Sequence, residues 1–202
     1  MGTTKLALRD QILAARRRMP LSDLGERARA LADRLMASPE VRRAATVAAY
    51  VSVSSEPGTG PLLELLRASG KRVILPLLQA DNDLDWAVYA GPEDLHTARR
   101  GLLEPTGRPL GPDALATADV VLIPGLAVGR DGTRLGRGGG SYDRALARVP
   151  GGTFTCVLLN SEEVLDTVPR DTHDRTVTAV ATELGVTPLG GAASPQSPQP
   201  PG

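Results

Sequence analysis

Cysteine is almost absent from this chain of 202 residues, which contains only Cys156. A single cysteine excludes an intramolecular disulfide and a metal site built from several thiolates. Cys156 lies in the apolar run from Phe154 to Leu159, so we expect a buried core thiol rather than a nucleophile.

Aromatic residues, net charge and long apolar runs are also scarce. Aromatic side chains make up 2% of the chain, which argues against the stacking platforms of single-strand-binding proteins. Basic and acidic residues number 23 each, so the net charge argues against a general nucleic-acid binder. No run approaches the roughly 18 apolar residues of a membrane span, and no secretory signal follows the polar N-terminus. We therefore expect a cytoplasmic protein that binds neither nucleic acid nor membrane.

Short apolar runs alternate with helix-like segments along the chain. The helical pattern covers residues 4–18, 22–37 and 59–70, and strand patterns cover 46–53, 72–75, 84–89, 120–123, 155–159 and 177–182. This alternation predicts an α/β fold: a three-layer helix–sheet–helix sandwich, Rossmann-like, with a mainly parallel central sheet. We expect one folded domain over residues 1–189 and a disordered tail, rich in Pro, Ser, Gln and Gly, over residues 190–202.

The segment PGLAVGRDGTRLGRGGGSYDR, residues 124–144, lies between a predicted strand and a predicted helix. Its glycines at positions 132, 136, 138, 139 and 140 alternate with Arg130, Arg134, Arg137 and Arg144. Backbone N–H groups of such a loop can converge on an anion. The phosphate-loop motif with its Gly-Lys-Ser/Thr ending is absent, and the dinucleotide fingerprint fits poorly. The pattern indicates an anion-binding loop, with a plain surface loop as the alternative.

Three carboxylates occupy predicted loops. Asp143 enters the helix after the glycine-rich loop, Asp174 precedes the last strand, and Glu56 follows the first strand. Beside a polyphosphate, Asp143 and Asp174 suit a magnesium ion, although Asp143 can also be a helix cap. Glu56 is a site candidate or a carboxylate that shapes its turn. For His173 we favour a structural role over a general base.

The first helix carries Lys5, Arg9 and Arg16 on one face. They either contact an anionic ligand or form a solvated basic face.

Together these motifs resemble the 5-formyltetrahydrofolate cyclo-ligase family, also called methenyltetrahydrofolate synthetases. The glycine-rich segment is similar to the family pattern PGLAFD-x-x-G-x-RLG-x-G-x-GYYD. Further matches, in register from Lys5 to Thr182, are Lys5 and Arg9 (K-x-x-x-R), Tyr50, Ser52, Glu56 and Thr59 (Y-x-S-x-x-x-E-x-x-T), Gly70, Lys71 and Pro76 (GK-x-x-x-x-P), Gly101, Glu104 and Pro105 (G-x-x-EP), and Pro169, His173 and Asp174 (P-x-x-x-HD).

The resemblance implies cyclisation of 5-formyltetrahydrofolate to 5,10-methenyltetrahydrofolate, with ATP as co-substrate and Mg²⁺ as cofactor, on a fold similar to the isomerase and CoA-transferase group. It implies small-molecule partners and a monomer or weak dimer. It also implies roles for particular residues. ATP is bound by Lys5, Arg9, Arg134, Leu135, Gly136, Arg137, Gly138, Gly139, Gly140, Ser141 and Tyr142; folate by Val51, Glu56, Arg137, Gly138, Gly139, Gly140 and Ser141; magnesium by Asp143 and Asp174. Arg137 and Asp143 are the implied catalytic residues.

Two positions depart from the family pattern. Ser141 stands where many members have tyrosine, and Gly139 where many have lysine. Two other functions remain open. One is a non-catalytic domain that senses a nucleotide or sugar phosphate, and the other, suggested by the fold that the resemblance implies, is a phosphosugar isomerase. An isomerase would need a general base and no ATP.

Overall fold

Residues 4–190 are described by a computed structural model. Five α-helices and twelve β-strands are formed within this part of the chain. The helices are α1 (Lys5–Arg17), α2 (Leu21–Ala37), α3 (Pro39–Arg43), α4 (Gly60–Ala68) and α5 (Ser141–Leu146). The strands are β1 (Thr46–Ala48), β2 (Arg72–Leu78), β3 (Leu84–Val88), β4 (Leu95–Thr97), β5 (Leu103–Pro105), β6 (Val120–Pro124), β7 (Ala127–Gly129), β8 (Arg134–Leu135), β9 (Phe154–Leu158), β10 (Val164–Leu165), β11 (Ala179–Thr182) and β12 (Gly185–Pro188).

Seven strands form the central sheet in the order β12-β11-β9-β6-β1-β2-β3. The five inner strands run parallel, and β12 and β3 pair antiparallel at the two edges. The predicted α/β sandwich with a mainly parallel sheet is therefore confirmed. Two small sheets, β10-β7-β8 and the hairpin β4-β5, lie beside it.

Alternate residues of the strands face two separate apolar layers, as the two-residue period of a strand requires. On one side, Leu122 and Cys156 pack with Leu35 of α2 and Leu66 of α4. On the other side, Val121 and Val157 share a cluster with Ala145 and Leu146 of α5 and with the 3₁₀ helix Pro112–Thr117. The lone cysteine is fully buried, as expected.

Helix α1 packs outside these layers, against the small sheet. Leu8 and Ile12 form a third cluster with Leu126, Ala127 and Leu135. Thr4 caps the helix by accepting a hydrogen bond from the N–H of Ala7 at 3.2 Å. Leu6, on the same helix, is 66% exposed.

Several element boundaries differ from the sequence prediction. Strand β1 ends at Ala48, and residues 49–53 continue as loop. Strand β2 runs through Pro76, which lies beyond the part of β2 that pairs with β1, so the missing N–H of proline does not interrupt that ladder. Helix α2 begins at Leu21, one residue before the predicted range. Helix α4 begins at Gly60, one residue inside the predicted range, and the Thr59 side chain before it makes no capping bond.

The C-terminal edge strand β12 was not predicted. It forms a hairpin with β11 across the turn Glu183–Leu184. The backbone N–H of Gly190 donates to the carbonyl of Arg130 at 3.0 Å. The rest of the predicted tail, residues 191–202, lies outside the described residues. Among residues 4–190, no helix has the length and apolar character needed to cross a lipid bilayer.

Candidate active site

A cavity of about 780 Å³ opens where β1, β2 and β6 end. Ligands of parallel α/β sheets bind at this edge, because the loops that follow the strands converge there. Most of the predicted folate and loop residues line it: Val51, Glu56, Arg134, Gly136, Arg137, Gly138, Gly139, Gly140, Ser141, Tyr142 and Asp143.

A second, smaller cavity of about 540 Å³ adjoins the first. Asp174 lies in its wall, together with Arg144, Arg170 and Arg175. Gly140 and Asp143 line both cavities. The structure therefore brings the two predicted magnesium carboxylates to one cavity, and it places Asp143 at the junction.

Two glycines of the loop have backbone conformations that favour glycine. Gly138 has φ of 98° and Gly140 has φ of 70°, both in the region where a Cβ atom is strained. Helix α5, which begins directly after Gly140, has six residues and ends at Leu146. Because so short a helix has a small dipole, an anion here depends on the loop backbone and the arginines.

Arg134 is buried and occupies the centre of the loop. Its Nη1 donates to the carbonyl of Pro124 at 3.2 Å, and its Nη2 pairs with Asp143 Oδ1 at 3.3 Å. Burial lowers the pKa of the guanidinium, and the nearby Asp143 carboxylate opposes that shift. The Nε of Arg134 has no hydrogen-bond partner among residues 4–190. The same Asp143 oxygen accepts from the backbone N–H of Arg175 at 3.1 Å, which ties the loop to the segment before β11.

Lys5 reaches that segment from the start of α1. Its Nζ contacts Asp171 Oδ2 at 2.6 Å and Asp174 Oδ2 at 2.5 Å. Burial acts to lower the pKa of Lys5, but the two carboxylates outweigh it and the pKa is raised. Burial acts to raise the pKa of Asp174, but the Asp171 N–H and Lys5 outweigh it and the pKa is lowered. Asp174 is therefore held as a carboxylate and already accommodates a cationic group.

Arg9, one helical turn after Lys5, meets the glycine-rich loop itself. Its Nε donates to the carbonyl of Gly136 at 2.9 Å, and its guanidinium lies beside Gly138. The two predicted ATP residues of α1 therefore contact residues that line the cavities, although neither is part of a cavity wall. Leu135 lines neither cavity, because its side chain packs in the cluster beneath α1.

Glu56 and Arg137 face each other across the larger cavity, with Arg137 Nη2 at 3.3 Å from Glu56 Oε1. The Glu56 side chain is 9% exposed, whereas that of Arg137 is 49% exposed. Burial raises the pKa of Glu56, and the Val53 N–H and Arg137 only partly oppose the rise.

Sequence reasoning missed two parts of the site. Arg16 is fully buried, not part of a solvated face: it pairs with Glu163 at 2.6 Å and donates to the Gly125 carbonyl at 2.8 Å.

The hairpin β4-β5 also contributes to the wall of the larger cavity, over residues 100–104. Glu104 ties this hairpin to β2 by accepting from the N–H of Leu78 at 2.8 Å. The G-x-x-EP match contained the signal for this hairpin, but no role was attached to it.

His173 lies at the rim of the smaller cavity and is mostly exposed. Its Nε2 is 3.8 Å from Asp174 Oδ1. Asp171, His173 and Asp174 each place a potential ligand atom within 4.8 Å of the others. The structural role of His173 stays a prediction.

Residues 1–183 match the sequence pattern that defines the 5-formyltetrahydrofolate cyclo-ligase family. The chain belongs to this family. It is 42% identical, over 142 residues, to the 5-formyltetrahydrofolate cyclo-ligase of Mycolicibacterium smegmatis, an alignment that covers 68% of this chain and 73% of that relative. It is 37% identical over 126 residues to the Escherichia coli K12 protein of the same name, covering 61% of this chain and 68% of that one.

Solved structures agree with this assignment. The NMR structure of Aquifex aeolicus 5,10-methenyltetrahydrofolate synthetase superposes with a TM-score of 0.81 at 27% identity, covering 96% of this chain and 97% of the other. The Mycoplasma pneumoniae 5,10-methenyltetrahydrofolate synthetase shares the fold, with a TM-score of 0.71 at 21% identity over 90% of this chain and 99% of the other.

Proposed function

We propose that the protein converts 5-formyltetrahydrofolate to 5,10-methenyltetrahydrofolate, with ATP consumed to ADP and phosphate. The observation that carries this proposal is the junction of the two cavities at Gly140 and Asp143. A largely apolar cavity large enough for a folate ring system lies next to a smaller cavity lined by arginines and carboxylates. This arrangement suits a reaction that joins a flat organic ring to a polyphosphate.

The chemistry needs activation of a poor electrophile. The formyl oxygen attacks the γ-phosphorus of ATP, the bond to the β–γ bridging oxygen breaks, and ADP leaves. The neighbouring folate nitrogen then attacks the formyl carbon, its proton is lost, the carbon–oxygen bond breaks, and phosphate leaves. Both steps depend on positioning and on neutralisation of charge more than on a covalent nucleophile.

Lys5, Arg9 and the loop 134–142 are the proposed ATP-binding residues. Lys5 and Arg9 supply positive charge from α1, and the backbone of the glycine-rich loop supplies N–H donors. The buried Arg134 holds the loop against Pro124 and Asp143. Arg134 thus fixes the geometry of the loop from within the protein.

Asp143 and Asp174 fit a magnesium ion by their chemistry. Both offer carboxylate oxygens to the smaller cavity, and hard oxygen ligands beside a phosphate are what this ion prefers in proteins. When bound, the ion would neutralise phosphate charge. The proposed folate contacts are Val51, Glu56 and Arg137, together with the overlapping loop residues Gly138, Gly139, Gly140 and Ser141.

The sensing-domain and isomerase alternatives gain no support from the site. The test is an assay of purified protein with 5-formyltetrahydrofolate, ATP and Mg²⁺, in which the absorbance of the methenyl product should rise. The rise should require ATP. Product formation without ATP, or none with it, contradicts the proposed function.

A further inference from the structure

Tyr50, a residue of the wall of the larger cavity, carries a buried hydroxyl. Its side chain is buried, with 3% of the residue exposed, and the residue lines the cavity between β1 and the glycine-rich loop. Among residues 4–190 the hydroxyl has no hydrogen-bond partner. A buried hydroxyl without a partner is unfavourable, and a phenylalanine would fill the same space without that disadvantage.

The backbone that carries Tyr50 is held firmly. Thr59 Oγ1 donates to the Tyr50 carbonyl at 2.8 Å and accepts from the N–H of Ser52 at 2.9 Å. The N–H of Thr59 donates in turn to Ser52 Oγ at 3.0 Å. These bonds tie the loop after β1 to the start of α4, so the Tyr50 ring is set in place by the fold rather than by its hydroxyl.

Tyr89 provides a contrast within the same chain. It is also buried, at 5% exposure, but its hydroxyl donates to Glu64 Oε1 at 2.7 Å, and it lines neither cavity. The Tyr89 hydroxyl therefore contributes to the fold through a hydrogen bond to a protein side chain. The hydroxyl of Tyr50 has no hydrogen-bond partner among residues 4–190, and it belongs to a residue of the cavity wall.

The surroundings of Tyr50 favour a neutral, polar ring over a phosphate. The charge of the Glu56 carboxylate acts on this hydroxyl, with Arg16 in partial opposition, so a further anion is disfavoured there. Burial, with the charge of Glu56, raises the pKa of Tyr50 well above its usual value, so the hydroxyl stays protonated and can both donate and accept. The edge of a reduced pteridine ring offers nitrogens and a carbonyl oxygen that match such a group.

We propose that the Tyr50 hydroxyl hydrogen-bonds the pteridine ring of the substrate and is a folate-binding residue beside Glu56. This inference rests on the proposed function, since it takes 5-formyltetrahydrofolate as the ligand of the larger cavity. It assigns Tyr50 to binding of the ring and not to the ATP side of the site.

The variants Tyr50→Phe and Tyr89→Phe test this assignment as a matched pair, because each removes one buried hydroxyl. Tyr50→Phe should raise the Kd for 5-formyltetrahydrofolate about fivefold to tenfold, as loss of one hydrogen bond to a ligand predicts, and leave the KM for ATP unchanged. The melting temperature of its ligand-free form should stay the same or rise. Tyr89→Phe should lower the melting temperature, because Glu64 loses its donor, and leave both substrate constants unchanged.

Direct binding measurements separate this proposal from the proposed function. A wild-type Kd for 5-formyltetrahydrofolate in Tyr50→Phe, or a lowered melting temperature with no selective effect on folate, overturns the role of Tyr50 alone. Wild-type protein that binds the folate but makes no methenyl product overturns the catalytic proposal alone. Wild-type protein that does not bind it overturns both.

A smaller ligand tests which part of folate Tyr50 contacts. With 5-formyltetrahydropterin, which lacks the aminobenzoyl-glutamate part, the loss of affinity in Tyr50→Phe should be equally large. An intact affinity for this fragment would show that Tyr50 contacts another part of folate and contradict the assignment.

Discussion

The two cavities of the site meet at Gly140 and Asp143 but are built from different parts of the fold. The larger one is formed mainly by strand ends, glycine backbone and the β4-β5 hairpin, and Glu56 and Arg137 pair across it. The smaller one is formed by α5 and the loop before β11, and arginines and carboxylates dominate it. A partly apolar cavity whose charges include the pairs Glu56–Arg137 and Arg134–Asp143 suits a ring with polar edges, whereas a dense set of charges suits a polyphosphate with its cation. Substitutions in each cavity can show whether the cavities divide the two substrates in this way.

Asp143 belongs to both cavities, so its loss should have the largest effect. Asp143→Asn keeps the size of the side chain but removes the charge that would hold a cation and that faces Arg134. We expect kcat to fall about 100-fold or more, as removal of one electrostatic contact to a reacting group typically does. Steady-state rates by absorbance of the methenyl product measure this.

A matched control for Asp143→Asn is Asp113→Asn, since Asp113 is almost fully exposed and its one ion pair within residues 4–190 is with Arg148, at 3.6 Å. This control should keep the wild-type rate. Circular dichroism should show both variants folded. A wild-type kcat in Asp143→Asn would mean that the carboxylate only orients Arg134 and the Arg175 backbone.

Substitutions of Lys5 and of Arg137 should affect the KM values of different substrates, one for each cavity. Lys5→Ala removes the cation held by Asp174 and should raise the KM for ATP about tenfold, with little change in the KM for folate. Arg137→Ala leaves Glu56 without its partner and should raise the KM for folate about fivefold, more than the KM for ATP. Initial rates over a grid of both substrate concentrations measure the split.

Controls for this pair are Lys71→Ala and Arg67→Ala. Lys71 bonds backbone carbonyls of Arg42 and Ala44, and Arg67 pairs with Glu64 on α4; neither lines a cavity. Equal changes in both KM values for Lys5→Ala and Arg137→Ala would show that the cavities do not divide the substrates.

The sheet and the glycine-rich loop were predictable because their signals are local. The buried runs 120–123 and 155–159 correspond to β6 and β9 at the centre of the sheet, and a strand that is apolar on both faces shows that directly in its sequence. The location of the candidate residues around Asp143 was predictable because the resemblance supplied them in register, and most of them lie in the two cavity walls. Their roles stay predictions.

Arg16 was not predictable, because what buries it lies far away in the chain. Its spacing from Lys5 and Arg9 indicates a shared helix face, but its partner Glu163 is 147 residues away, on the 3₁₀ helix Ser161–Glu163. Edge strand β12 was missed for a similar reason: four residues with a proline form a strand only because β11 is beside them. Long-range pairing of this kind produces no periodic pattern of apolar residues from which it could be predicted.

Substitution of Glu56 by glutamine should have the smallest effect, and the effect is measured first as a change in stability. Burial raises the pKa of its carboxyl above the usual 4.5 despite the Val53 N–H and Arg137. A carboxyl with a higher pKa in the folded chain binds its proton more tightly when folded, so its contribution to the free energy of unfolding is present below the unfolded pKa and is lost as the pH rises through the folded pKa. Glu56→Gln cannot ionise and escapes this loss. As the pH rises from about 4 to about 7, the melting temperature of the variant should therefore increase relative to that of the wild type.

The same variant should bind 5-formyltetrahydrofolate more weakly, because glutamine cannot replace a carboxylate that pairs with Arg137 and faces the ring. A gain in stability with a loss of binding would mark Glu56 as a group kept for its ligand at the expense of the fold. Melting curves across this pH range, with the Asp113→Asn variant as an exposed-carboxylate control, distinguish the outcomes. A melting-temperature difference that does not change with pH would show that Arg137 and the Val53 N–H fully stabilise the ionised carboxylate, and Glu56 would then belong to the fold as much as to the larger cavity.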